Sequence, residues 1–446
     1  MIISCVLNHY VLLYHQEGIK MLLSFKINNF KSIKELELRT DYNEGKAPNG
    51  YKKNPNIVFL SKNKQRILPV TSIFGSNASG KTNIVEAMSV FLDIINGEKI
   101  SEEVSYKPNL ILSPQKNTMF EIRFVLDNIY SYKVEYNNSS IVSEKLTANN
   151  NIIFEINNNT IKDISLEKRL IFNKEKVTEI YNVQCLNSST KQQILSLLYV
   201  LANEYQNLIP SLTNVYDFIR SKIRICMENR PCTTTQSLDI YSNVIGDRQK
   251  AIDEIIKLIK NFDVDIENIE IEKIETEAVN LLSLKRKSFD MTDFNKLTGR
   301  IRGNKLFSIH KSLLNEIIKL DFCEESKGTQ IMSSLLGIIL ATLKTGGIVV
   351  IDELDKSLHP LIVIQIVKLF KDKRFNKNNA QLIFTTHCSD LLENGLLRTS
   401  EVAIVNKTKK DGSSIERLSD LNIRNVINFR KVYLQGMFGG IPQAYI

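Results

Sequence analysis

The chain has no apolar run of the roughly 18–20 residues that a membrane-spanning helix needs, which argues against a helical membrane protein. Its opening stretch, Met1 to His15, is apolar in part. It carries neither a basic leading region nor a small-residue cleavage site, so it does not read as a secretory signal. The six cysteines (Cys5, Cys185, Cys226, Cys232, Cys323 and Cys388) contain no CxxC pair, and Cys226 and Cys232 are too far apart for a usual zinc half-site. A disulfide framework is not expected in a chain this long, so a reducing, cytoplasmic setting follows. There is no internal repeat and no long heptad run, which excludes a solenoid and a long coiled-coil arm.

What is present is 446 residues, 43% of them hydrophobic, enough for two or three lobes. The net charge of +9 is mild for this size. It permits contact with nucleic acid and equally suits an ordinary solvated surface. Met21 opens an alternating pattern, and the preceding Gln16-Glu17-Gly18 can be written in purine-rich codons that resemble a ribosome-binding site. Translation is therefore expected to start at Met21, with residues 1–20 a non-native leader. Residues 22–40 read as two strands around a turn, and 57–60 and 68–74 as further strands. Residues 118–173 alternate between β-rich runs and Asn-rich turns, the pattern of an antiparallel subdomain. From about 190 to 262 the period becomes helical, and 266–325 mixes short strands with a basic stretch. Residues 326–390 read as helix, buried strand, helix, buried strand.

Gly75-Ser76-Asn77-Ala78-Ser79-Gly80-Lys81-Thr82 fits GxxxxGK[ST], between an expected strand and an expected helix. Glycines let backbone N–H groups curl around phosphate oxygens, and the following helix start adds its positive end. In that arrangement Lys81 contacts the β- and γ-phosphates and Thr82 ligates Mg²⁺. Four β-branched residues, Ile348-Val349-Val350-Ile351, precede Asp352-Glu353 at a strand end, where open α/β sheets place ligands. Asp352 suits a Mg²⁺ ligand, and Glu353 suits a general base that polarises the attacking water. Taken alone, such a strand end is also an ordinary solvated turn. His387 ends a second buried strand and is placed to order water or meet a γ-phosphate; a lone histidine is also a structural residue. Ser326-Lys327-Gly328-Thr329 opens an apolar helix, so that a hydroxyl, a glycine N–H and a helix start form a second phosphate-binding end, or simply a capped helix.

This order of motifs resembles the ABC-type ATPase head of SMC and RecF proteins. Within that class, residues 324–360, 381–387 and the tail Tyr433-Leu434-Gln435-Gly436-Met437-Phe438-Gly439-Gly440-Ile441-Pro442 look like the small AAA-type ATPases of bacterial abortive-infection and anti-phage loci. The resemblance covers about residues 21–125 and 305–446. It implies an α/β fold, a P-loop NTPase head of mixed sheet and flanking helices with an antiparallel β-subdomain and a mainly helical insertion. The expected division is 21–175, 176–304 and 305–446, the middle segment being the insertion. It makes 326–329 the signature motif, 354–357 the D-loop and His387 the switch histidine. The expected catalytic groups are Glu353, His387 and Lys81, and Thr82 and Asp352 are the metal ligands. The expected nucleotide contacts are residues 75–83 with Asn83, the 326–329 motif with Lys327, Asp355, and Lys31 of the Phe30-Lys31-Ser32 turn. No convincing Q-loop follows the P-loop helix, since Gln115 sits in a polar, Pro-containing stretch.

The implied activity is ATP hydrolysis with ATP and Mg²⁺, in a homodimer or higher even-numbered assembly joined through ATP. A separately encoded effector is expected, because only residues 388–446 follow His387, too few for the nuclease domain of nuclease-bearing relatives. The alternative is a DNA-repair or recombination ATPase that binds DNA directly. A transporter subunit is disfavoured by the absent Q-loop and the split head.

Overall fold

The computed structural model describes residues 20–42, 58–59, 66–97, 106–113, 116–138, 140–158, 160–164, 179, 181–183, 196–204, 210–262, 264–277, 300–312, 314–393, 395–421 and 428–441. Residues 1–19 of the expected leader 1–20, Gln115, the Lys285-Arg286-Lys287 run and Pro442 lie outside these described residues.

The alternating start forms β1 (Met21–Phe30) and β2 (Ile33–Arg39), paired antiparallel around Lys31-Ser32. A short ladder of β3 (Val58–Phe59) and β4 (Arg66–Ile67) precedes β5 (Val70–Gly75) and α1 (Lys81–Asn96). The Asn-punctuated region is an antiparallel meander of β6 (Thr118–Val125), β7 (Ile129–Tyr136), β8 (Ile141–Ala148), β9 (Asn151–Asn157) and β10 (Thr160–Ile164). Asn149 and Asn150 turn it at φ 47° and 68°, a region asparagine tolerates better than branched residues.

The helical stretch provides α2 (Leu197–Glu204) and α3 (Pro210–Asp217), which runs into a π-helical turn (Phe218–Lys222) and β11 (Ile223–Cys226). Then come α4 (Thr234–Ile245), α5 (Arg248–Asn261), β12 (Asn268–Glu277), β13 (Arg300–Lys311) and β14 (Ile317–Asp321). The end of the chain supplies α6 (Lys327–Thr345), β15 (Ile348–Ile351), α7 (Pro360–Lys371) and β16 (Gln381–Thr385). It closes with β17 (Val402–Thr408), β18 (Gly412–Arg417) and α8 (Phe429–Leu434).

Two compact units share these elements. The first takes the described residues of Met1–Ile225, Gly346–Glu353 and Val367–Ile446, and the second those of Cys226–Thr345 and Leu354–Ile366. The first is built on one sheet in the order β10-β9-β8-β7-β6-β1-β2-β18-β17-β5-β16-β15-β11. Its β15, β16, β5 and β17 run parallel, and the pairs from β10 to β2 run antiparallel. Every residue of β5, β15 and β16 is buried, which explains their unbroken apolar character: a strand covered on both faces has no solvent side to alternate with. Helix α1 buries Ile84, Met88 and Phe91 on its inner face. Phe91 meets Phe25 edge-on at 5.6 Å and Phe120 at 6.4 Å, and it also touches Tyr132, so β1, β6, β7 and the P-loop helix share one aromatic core.

The second unit holds the antiparallel sheet β12-β13-β14 and the packed helices α4, α5 and α6. Thr233 caps α4 in a reciprocal capping box with Gln236. Gly337 of α6 lets α4 approach closely, because a Cβ there would stand 2.4 Å from the Ser237 carbonyl oxygen. Among its described residues, the stretch from 176 to 304 includes α2, α3, α4 and α5, together with β11, β12 and the start of β13.

A buried carboxylate ties the meander of the first unit to α2. Glu144 on β8 accepts hydrogen bonds from the N–H groups of Leu197 (2.6 Å) and Leu198 (2.8 Å) and from the Tyr132 hydroxyl (2.8 Å). It thus satisfies helix-start donors that have no partner within the helix. Burial pushes its carboxyl up to about 7, against the opposing pull of those three donors. Between the ordinary carboxylate range and about pH 7 the folded chain thus holds a proton that the unfolded chain has released. This group's contribution is full at low pH and is lost as pH rises through about 7, a change on the order of 3 kcal/mol. Glu144→Gln is expected to remove that part of the pH dependence of the urea midpoint between pH 4.5 and 7.5. Identical slopes for both proteins would contradict it.

Candidate functional site

Parallel pairing of β5, β16 and β15 places their C-terminal ends at one sheet edge, with Ile73 opposite Thr385 and Ile351 opposite Phe384. Three chain segments far apart in sequence meet there. From β5 the backbone turns through Ser76, Asn77, Ala78, Ser79 and Gly80 into α1. Ala78 and Gly80 adopt φ values of 60° and 111°. Glycine at position 80 is required twice, by that conformation and by space: a Cβ would lie 2.3 Å from Ser413 Oγ and 2.9 Å from Ser32 Oγ. At Gly75 a Cβ would lie 2.6 Å from Ser79 Oγ and 2.7 Å from the Val405 carbonyl oxygen. Lys81 is buried, and its Nζ folds back over the loop to donate to the carbonyls of Gly75 (2.9 Å) and Ser76 (3.0 Å). Ser79 Oγ is buried without a hydrogen-bond partner, and no side chain caps the start of α1. Such a loop, with an uncapped sixteen-residue helix behind it and an ammonium folded across it, fits a phosphate group.

At the neighbouring strand ends, Thr385 Oγ1 donates to Asp352 Oδ1 (2.6 Å) and accepts from the Glu353 N–H (2.7 Å). Glu353 itself takes φ 51°, outside the usual range for a residue with a side chain. One hydroxyl thus fixes both members of the acidic pair. His387 is exposed just beyond β16, where the Thr386 N–H continues the ladder to Ile73 O (3.1 Å) and Thr386 Oγ1 accepts from Cys388 N (2.9 Å). Among the described residues no group of three or more His, Cys, Asp or Glu side chains could hold a metal ion. Thr82, at the start of α1, and Asp352, at the end of β15, carry oxygen donors. That pair suits Mg²⁺, which retains waters and draws on substrate oxygens.

Lys31 stands beside α1 and pairs with Glu86 of that helix, which also receives Lys107 Nζ at 3.0 Å. The Lys31 N–H donates to Lys107 O (2.7 Å). Burial raises the Glu86 carboxyl, but bonding to the two ammonium groups outweighs it and holds the group below its ordinary value. Asn83 Nδ2 donates to Ser32 Oγ (2.7 Å). The tail also reaches this region: Gly440 N donates to Asn406 Oδ1 (2.7 Å), Tyr433 OH donates to Gly440 O (3.0 Å), and the Tyr433 ring meets Phe74 edge-on.

In the second unit, Ser326 Oγ accepts from the Thr329 N–H (3.1 Å) and lies 2.8 Å from Thr329 Oγ1, so it caps α6. Ser326 and Lys327 are exposed. Gly328 is held against the 354–358 turn, where its Cβ would lie 2.8 Å from Ser357 O. Asp355 lies in that turn, accepting through its carbonyl from Leu358 N (3.3 Å), and Lys356 pairs with Glu228 at 2.8 Å. The structure therefore gathers residues 75–83, Lys31, Asp352, Glu353 and His387 in the first unit. It gathers 326–329 and Asp355 in the second.

Sequence reasoning placed Thr385 on its strand but missed the hydroxyl's double role, and it missed Glu86, Lys107 and Ser413 entirely. Thr385 carried a readable signal, since a threonine at the end of a buried strand must find a partner for its hydroxyl.

Fold and site together define a P-loop nucleotide-binding domain of mixed sheet and flanking helices. Residues 70–393 match the family described as "AAA domain, putative AbiEii toxin, Type IV TA system", and the chain belongs to that family. The sequence matches none of the curated proteins. Among solved structures it is similar to the recombination mediator protein RecF of the RecFOR pathway (15% identity over 91% of this chain and 100% of that one, TM-score 0.37). It is also similar to the SMC head domain from Thermotoga maritima (13% identity, 89% and 98%, TM-score 0.36). Among the described residues no helix is long and apolar enough to cross a membrane.

Proposed function

We propose that the chain is a Mg²⁺-dependent ATPase that works as a two-fold pair and serves as the ATPase switch of a cytoplasmic anti-phage, abortive-infection module. The observation that carries the enzymatic part is the shared sheet edge, where the Gly75–Gly80 loop, the Thr385-tethered Asp352-Glu353 pair and His387 come together. Support for the defence setting comes from the family's description, which names the AbiEii toxin and a type IV toxin–antitoxin system. The effector would be a separately encoded protein.

In this reading the loop N–H groups and Lys81 hold the β- and γ-phosphates, and Lys81 exchanges its bonds to the Gly75 and Ser76 carbonyls for phosphate oxygens. Thr82 and Asp352 would hold Mg²⁺, whose charge neutralises the phosphates when bound. Glu353 accepts a proton from the attacking water, and His387 orders that water or bonds the γ-phosphate. The 326–329 cap and Asp355 act across the pair: Ser326 Oγ, Gly328 N–H and the start of α6 cover the phosphate held by the other copy. Loss of the γ-phosphate then loosens the pair. In domain terms, 21–175 and 305–446 form the head, and 176–304 is the insertion that selects the effector.

Glu353→Gln keeps shape and removes the base. It is expected to trap an ATP-bound dimer on size-exclusion chromatography, and a monomer with nucleotide bound would contradict the paired site. Thr385→Val keeps the β-branch and removes both tethering bonds. Hydrolysis at limiting Mg²⁺ is expected to fall about 10–100-fold with the fold retained, the usual range for groups that orient a metal ligand. An unchanged rate would show that Asp352 needs no tether.

A further inference from the structure

Of the polar groups outside the roles above, one set touches the P-loop itself. Ser413, at the start of β18, is buried and lies against the loop from the opposite end of the chain. Its Oγ donates to the Ser79 carbonyl at 2.5 Å and lies 2.7 Å from Ser32 Oγ, while Asn83 Nδ2 lies 2.7 Å from Ser32 Oγ. Its backbone N–H donates to Ser32 O at 2.8 Å. Gly412 makes this approach possible, since a Cβ there would stand 2.4 Å from Ser32 O.

Counting protons gives the chain of bonds one direction. A hydroxyl has one hydrogen, and a carbonyl only accepts. Ser413 therefore uses its hydrogen on Ser79 O, so Ser32 must donate to Ser413. Asn83 Nδ2 is a donor only, so it donates to Ser32. The series Asn83 → Ser32 → Ser413 → Ser79 C=O links the first turn of α1 back to the loop that precedes it. In a planar trans peptide the carbonyl and the next N–H point in opposite directions. Holding the Ser79 carbonyl on Ser413 therefore turns the Gly80 N–H away from β18.

We propose that Ser413, backed by Ser32, is a positioning residue that aims the Gly80 N–H at nucleotide phosphate. The proposal rests on the ATP-binding reading above and adds the specific group that presets the loop. It acts on a phosphate that ATP and ADP share, so both should lose affinity together. It acts on binding more than on the chemical step, so KM should move and kcat should not.

The test is titration calorimetry of ATP and ADP with Mg²⁺, using the full chain, Ser413→Ala, Ser32→Ala and the double variant, with steady-state hydrolysis alongside. Losing one well-aimed bond to a charged group corresponds to about a tenfold change. Ser413→Ala is expected to weaken ATP and ADP alike by about tenfold, raising KM with kcat within twofold of wild type. Ser32→Ala is expected to weaken both by roughly threefold, because Ser413 keeps its bond to Ser79. The double variant should match Ser413→Ala alone, since Ser32 acts through Ser413. A general packing defect would instead give additive losses and a fall in kcat. Wild-type affinity in Ser413→Ala, or additive losses, would overturn the proposal while leaving the ATPase reading intact. Should Ser413→Ala fail to fold, Ser32→Ala alone decides: parallel weakening of both nucleotides supports the proposal, and unchanged affinity overturns it. A wild-type chain that binds neither nucleotide would remove the ATPase reading and this inference with it.

Discussion

Parallel pairing of β5, β16 and β15 is the constraint on which the rest of the candidate site depends. These strands come from residues 70–75, 381–385 and 348–351, and they have no common edge until the sheet forms. Their burial on both faces supplies the driving force, since each fully buried Val, Ile, Leu or Phe contributes roughly 1.5–3 kcal/mol by leaving water. With the register set by that packing, Gly75, Asp352 and Thr385 arrive together at strand ends where backbone groups have no further strand partner. Polar chemistry then follows from position. Thr385 finds Asp352 and Glu353, and Lys81 finds the carbonyls of its own loop.

Around that edge the structure balances charge with few groups. Glu86 faces two ammonium groups, Lys31 and Lys107, beside a helix start that already favours negative charge. A buried carboxylate with a single cation would be neutral; with two, the corner keeps a surplus positive charge next to α1. In the antiparallel part of the same unit, the solution is the reverse. Glu144 has no cation among its bonded partners and relies on N–H and O–H donors alone, which leaves burial the stronger influence on its proton.

Legibility in the sequence tracked the range of each interaction. The P-loop, the Asp352-Glu353 strand end, the 326–329 cap and the Asn-rich turns are local patterns, each read within about ten residues, and the structure places an element at each. The unbroken apolar runs of β15 and β16 announced burial on two faces. Ser413 could not be read this way, because its partner Ser79 lies 334 positions away and a serine in a short strand has no distinguishing neighbours. Glu144 is equally silent, a charged residue in an alternating strand whose partners are backbone N–H groups more than fifty positions on. Lys31 was readable as a basic residue near the loop, but not its pairing with Glu86, which needs the β1–β2 turn folded against α1. The close crossing of α4 and α6 was similarly hidden, since Gly337 sits inside an otherwise good helix and only Ser237 explains it.

In the proposed function the loop closed by Lys81 grips the phosphates of ATP. The most direct measurement of that grip is the affinity of Mg·ATP for the wild-type chain and for Lys81→Ala, by calorimetry on folded protein. Two charge-assisted bonds are lost with that ammonium, and at about 1.5–3 kcal/mol for each the expected loss is at least roughly a hundredfold. Equal affinity in the two proteins would contradict it.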